Sequence, residues 1–229
     1  QYLERNCDKR FNPTMLVEGC KSIICVAMNY APKQHIDGIA DYAQGMDYHR
    51  VVKERLYQLL QSTNSVCTAQ GRAFCDSAPV LERYWAWKSG IGAITPSGLI
   101  AVPGYGPTVF LGELFLTSEA DSYDAPLPGA MPTKSGWQSL CPALTAEGLD
   151  ARKCVSYQTI EHRGELPESI RLHQTFYGCD RCLRATPQFV EAQPTQEPAF
   201  QPSEALLEMT PNDWRHLTEE QYRTLFKGS

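Results

Sequence analysis

Four cysteines between residues 131 and 187, Cys141, Cys154, Cys179 and Cys182, constrain this chain more than any other stretch. Cys141 is followed by Pro142, and Cys179 and Cys182 form a C-x2-C that runs on to Thr186-Pro187. Two-cluster ferredoxins use runs of the form C-x2-C-x2-C-x3-C-P, in which the last cysteine ligates the other cluster. Counting back from Cys141 at that spacing meets Trp137, Lys134 and Met131, none a thiolate donor, and the last position of the second run is Thr186. By the crossing rule, all four ligands of one cluster are missing together. The other set, Cys141, Cys154, Cys179 and Cys182, is complete, which predicts one 4Fe-4S cluster where the pattern has room for two. Spacing leaves two other readings open: a tetrahedral structural zinc site, or buried thiols without metal.

The remaining cysteines, Cys7, Cys20, Cys25, Cys67 and Cys75, lie upstream and outside the run. Nine cysteines, an odd number with no leader-like stretch before them, suit a reducing cytoplasm. No run of about 18 apolar residues is present, so no membrane span is expected. The 229 residues, 42% hydrophobic, suffice for one or two packed domains. A net charge of −5 gives no general attraction to phosphate backbones, so a nucleic-acid partner would be held by a local patch or by additional parts. The chain opens on Gln1 and stops at Ser229 straight after a helical pattern, and we expect the natural protein to extend beyond both ends.

Along the chain, the apolar, β-branched run at 21–30 predicts a buried strand that delivers Met28, Asn29 and Tyr30 to a loop. From Asp47, a plausible N-cap, Tyr48, Val51, Val52, Leu56, Leu59 and Leu60 recur at helical spacing, with His49 beside the stripe as a partly exposed histidine. A short strand at 71–75 leads through Asp76-Ser77-Ala78-Pro79 into a helix at 80–88 that Gly90 stops. Asp76 thus stands at the carboxyl end of a strand, where open α/β sheets bind ligands. Taken alone, a helix cap is the plainer role for Asp76 or Ser77.

The two glycines of SGIGAI suit a turn and close packing rather than a phosphate loop. Strands are expected at 99–102 and 108–116, around a turn at 103–107, followed by a boundary rich in Pro, Gly, Ser and Asp at 118–135. A helix at 149–162 would carry Cys154. The Pro-, Gln- and Glu-rich stretch 191–202 predicts an extended linker. Thr218 and Gln221 form a capping box for a last helix with Tyr222, Leu225 and Phe226.

The segments YLERN, VAMNYAP, DYAQGMDYHRVVKERL, FCDSAPVLER, FLGEL, GLDARKCVSYQTIEHRGELP, YGCDRC and QPTQEPAFQPSEALL together make the chain resemble epoxyqueuosine reductase over nearly its whole length. The resemblance implies an α+β protein: a nitroreductase-like α/β cobalamin-binding domain at 1–125, its N-terminal part missing, and a ferredoxin-like iron-sulfur module at 126–190. A linker and terminal helix would fill 191–229. It implies reductive deoxygenation of epoxyqueuosine to queuosine at the tRNA wobble position, by cobalamin reduced through an iron-sulfur cluster. The aspartate of DSAP, Asp76, would be the proton donor, which requires a raised pKa from burial beside an apolar cofactor face. Tyr48 and His49 would lie near the substrate, and Asn29 joins them as a candidate binding residue.

Expected partners are tRNA carrying epoxyqueuosine and a low-potential electron donor, with the chain a cytoplasmic monomer. Two departures from the family stand out. Thr95-Pro96-Ser97 replaces its usual Gly-Lys pair and small polar residue, and one cluster's ligands are absent. Both leave a second reading, a non-catalytic relative whose four-cysteine site is structural or only carries electrons.

Overall fold

The structure, a computed structural model, describes residues 6–65, 68–95, 97–127, 141–145, 148–172, 175–186 and 193–226. Cys67, Pro96, Met131, Lys134, Trp137, Pro187 and much of the expected boundary at 118–135 lie outside the described residues. Helix α1 (Cys7–Phe11) and a 3-10 turn precede β1 (Ser22–Asn29), α2 (Tyr48–Thr63), β2 (Gly71–Phe74), α3 (Glu82–Lys88), β3 (Ala93–Ile94), β4 (Ile100–Ala101) and β5 (Val109–Leu116). The cysteine region holds β6 (Leu144–Thr145), β7 (Gly148–Leu149), α4 (Val155–Ile160) and α5 (Arg181–Arg184). Helices α6 (Glu204–Leu207), α7 (Pro211–Arg215) and α8 (Glu219–Leu225) follow. The class is α+β.

The main sheet has the order β1-β5-β2, with β5 antiparallel to both neighbours. This differs from the open parallel sheet that would place ligands at strand ends. The central strand β5 is almost wholly buried because both its faces are covered. On one face, Phe110 and Leu114 meet Val51, Val52 and Leu56 of α2. Position 112 must be glycine for that contact, since a Cβ there would lie 2.6 Å from Val52 Cγ1. On the other face, Phe115 packs with Phe74 of β2, with Val80, and with Trp85 of α3. Each of the fully buried Leu56 and Leu114 contributes about 1.5–3 kcal/mol through burial.

Several expectations need correction. The predicted helix at 149–162 is interrupted at Cys154: a 3-10 turn, Ala151–Lys153, ends there and α4 begins, with Cys154 as its N-cap in extended conformation. The stretch expected as a linker is no free linker. Its residues 193–201 strap the first unit, with Phe200 only 2% exposed against Phe110. Thr195 N–H donates to Ala31 O, Met46 N–H to Ala199 O, and Arg55 pairs with Glu197 at 2.7 Å. The Thr218–Gln221 capping box forms as expected, and Thr210 with Asp213 makes another at α7. No helix among the described residues is long and apolar enough to cross a membrane.

Candidate active site

One cleft of about 1270 Å³ is lined by Tyr48, His49 and Asp76 from the first unit and by all four of Cys141, Cys154, Cys179 and Cys182. Its size exceeds the roughly 300–1,000 Å³ of pockets for drug-sized ligands. Helix α2 supplies the first group. Asp47 caps it by accepting the His49 backbone N–H at 2.9 Å, and the same Oδ1 accepts from the His49 ring Nδ1 at 2.7 Å. Because the carboxylate only accepts, Nδ1 carries a proton and the opposite nitrogen is left to face Asp76. Nε2 lies 3.6 Å from Asp76 Oδ2, an ion-pair distance. Tyr48 donates its hydroxyl to the same oxygen at 2.5 Å, while its ring is stacked between His49 and Phe110 at 4.0 and 4.2 Å.

Asp76 has φ 50°, in the left-handed region, the sole non-glycine so placed among the described residues. Its N–H donates to Glu82 Oε1. It does not cap α3, whose N-cap is Leu81 and carries no side-chain bond. The raised pKa was expected from burial beside an apolar cofactor face; the chain's own groups act the other way. His49 foremost, with the Tyr48 hydroxyl and Arg83, pulls the Asp76 carboxyl below its usual range, outweighing burial. The physical reason is that the side chain is 61% exposed and faces donors. His49 shifts up in return, Asp76 foremost and Asp47 after it, against desolvation. The resting proton of this pair therefore sits on the imidazole.

Behind Asp76 lie two carboxyls that sequence reasoning missed. Burial pushes Glu82 up to about 7, and Glu113, fully buried on β5, is driven well above the carboxylate range by burial and then by Glu82 and Asp76. Neither oxygen of Glu113 has a hydrogen-bond partner among the described residues. The quoted segments FCDSAPVLER and FLGEL contain both glutamates, but only the fold brings them together. Asn29 is placed elsewhere: it does not line the cleft, donating to Gln193 O at 2.7 Å and accepting from Ala31 N at 2.9 Å.

The cysteines are gathered by short local structures. The β6–β7 hairpin brings Cys141 back toward Cys154, and Thr159 of α4 accepts from Gly178 N–H beside the C-x2-C. That motif docks on the first unit through Tyr177 O, which accepts from Ala40 N, and Asp180, which accepts from Asp41 N at 2.8 Å. Asp41 is buried and pairs with Arg184 at 2.9 Å and His35 at 2.8 Å. Burial raises the Cys179 thiol and takes Cys182 to about 11, with the neighbouring cysteines adding. All four thiols line the one cleft, and Cys141, Cys179 and Cys154 each act on Cys182 through their charge. Among the described residues, no three ligating side chains converge closely enough to hold a single metal ion.

The family described as "Epoxyqueuosine reductase QueG, DUF1730" matches residues 10–77. An epoxyqueuosine reductase of Cellulophaga algicola is 36% identical over 239 residues, covering all of this chain and 78% of that protein. Among solved structures, an epoxyqueuosine reductase with an epoxyqueuosine-modified tRNA stem loop superposes with TM-score 0.83 at 24% identity. That match covers 96% of this chain and 62% of the other. One from Bacillus subtilis, with its aspartate-bearing catalytic loop swung out of the active site, gives 0.73 at 25%, covering 97% and 63%.

Proposed function

This chain belongs to the epoxyqueuosine reductase family, and from that premise we propose that it removes the epoxide oxygen of epoxyqueuosine in tRNA, giving the alkene of queuosine. The observation that carries the reading is the shared cleft, in which an acid pair faces a four-cysteine site across a space for a large cofactor. We take 1–125 as a nitroreductase-like cobalamin-binding domain, 126–190 as a ferredoxin-like module holding one 4Fe-4S cluster, and 191–229 as the segment that follows it. When bound, cobalamin and the cluster would supply two low-potential electrons, delivered by an external donor, for breaking both carbon–oxygen bonds of the epoxide, whose oxygen leaves as hydroxide with the one proton the chain provides.

The chain's own residues manage the proton. Asp47 holds His49 protonated at Nδ1, and the charged imidazole keeps Asp76 ionised until a leaving oxygen competes for a proton. Asp76 Oδ2 then takes the proton of His49 Nε2 and passes it to that oxygen, while Tyr48 holds the carboxylate in place. Sharing one proton between two groups removes the need for a permanently neutral carboxyl. The polar end of the cleft, with Arg83 at its edge, would meet the modified nucleoside, and the protein would work in the cytoplasm as a monomer. A non-catalytic relative is not favoured, since the acid group is intact.

The test uses anaerobically purified protein with cobalamin, a low-potential reductant and tRNA bearing epoxyqueuosine. Conversion to queuosine, read by nucleoside analysis, together with a cobalamin spectral change on binding, is expected; neither occurring with loaded protein would refute the reading. Iron should be about four per chain. Changing any one of Cys141, Cys154, Cys179 or Cys182 to Ser should release most of it, whereas changing Cys7, Cys20, Cys25, Cys67 or Cys75 should not.

A further inference from the structure

Three hydroxyls join the turn after β3 to the end of the C-x2-C helix. Thr95 Oγ1 lies 3.0 Å from Ser97 Oγ, Ser97 Oγ lies 3.1 Å from Thr186 Oγ1, and Thr186 Oγ1 donates to the Cys182 carbonyl at 2.7 Å. Thr95 and Thr186 are 1% and 3% exposed. A carbonyl only accepts and a hydroxyl has one proton, so the Thr186 proton is committed to Cys182. Ser97 must then donate to Thr186, and Thr95 to Ser97. The Thr95 oxygen is in turn filled by the Leu99 N–H at 3.1 Å. The chain of bonds has one direction, and each bond polarises the next.

A threonine that bonds the carbonyl four residues back is ordinary at the end of a helix. Ser97 is the unusual partner, since it reaches Thr186 across 89 residues of sequence. In a two-cluster run the position of Thr186 holds the thiolate that ligates the other cluster, and metal there would tie separate segments together. We propose that the Thr95–Ser97–Thr186 chain is a metal-free clamp that fixes the C-x2-C helix against the β3–β4 turn, making Ser97 and Thr186 positioning residues for the cysteine site. The clamp rests on the one-cluster reading above.

A double-mutant cycle tests it on anaerobically purified protein of measured iron content. Ser97→Ala and Thr186→Val should each raise the unfolding equilibrium constant, and together do no more than the worse of the two. The resulting coupling is about three- to tenfold, the scale of one net hydrogen bond. Thr186→Ser keeps the hydroxyl and should restore most of the loss, and the Leu99 amide should exchange faster in Ser97→Ala. Independent, multiplying effects at about four irons per chain would overturn the clamp alone. About eight irons per chain would overturn the one-cluster reading and the clamp with it.

Discussion

At Asp76 two functions compete for one side chain, and the backbone decides between them. A residue at φ 50° just after β2 turns its carboxylate away from the α3 amides and toward Tyr48 and His49. The motif around Asp76 was readable in the sequence, as was the helix that carries His49. The direction of its pKa was not, because that depends on which donors face the carboxylate and how much water reaches it. Asp76→Asn keeps the shape and the Tyr48 hydrogen bond but cannot carry a proton. Turnover should fall about a hundred- to ten-thousandfold in single-turnover assays, with the unfolding midpoint nearly unchanged. Near-normal epoxide reduction by this variant would remove Asp76 from the proton path. His49→Gln should lower the rate less and shift the pH profile of what remains, since Asp76 would then have to take its proton from solvent.

Among the elements, β5 was legible as a strand from its apolar run, yet the run also hides Glu113 at its most buried point. Periodicity assigns that position to a covered face; it does not reveal that a carboxyl from α3 stands nearby. Burial raises Glu82 from its ordinary value near 4.5 to about 7, and Glu113 shifts the same way. Between those values the native protein binds more protons than the unfolded chain, so stability falls as pH rises through the window. His49 adds to the trend: its raised pKa stabilises below the ordinary histidine value, and the gain is lost as pH passes the raised one. Glu113→Gln is neutral at every pH, so it should match the parent near about pH 5 and exceed it near about pH 8 in denaturant unfolding. A parent midpoint that does not fall between those conditions would show that the buried carboxyls are not held neutral. The predicted helix at 149–162 failed for a related reason: its spacing is helical, but Asp150 captures the Arg152 N–H and Cys154 is extended.

Over the whole molecule, the sequence pattern singled out four cysteines that one cleft does gather, whereas the way the parts hold together was not legible. The first core draws Leu183 from the C-x2-C helix and Phe200 from the strap, so the cysteine region and the segment after it share hydrophobic packing with the first unit. A Pro-, Gln- and Glu-rich composition suggests a solvated linker because it counts polar residues, not the single aromatic that finds a pocket. That pocket is tight: at Gly45 a Cβ would come within 2.6 Å of the Phe200 Cα, so strap and loop meet backbone to backbone. Phe200→Ala removes a ring packed at 4.9 Å from Phe110 and leaves a cavity where strap and core meet. It should cost about 3–5 kcal/mol in denaturant unfolding. The same variant should open 193–201 to limited proteolysis while α2 and β5 stay protected, since the strap's remaining ties are polar: the backbone bonds at Ala31 and Met46, the hydrogen bonds from Asn29 to Gln193 and from Lys33 to Gln201, and the Arg55 pair. An unchanged cleavage pattern with a loss of under about 1 kcal/mol would mean that the strap is held by those polar ties and that its aromatic anchor is dispensable.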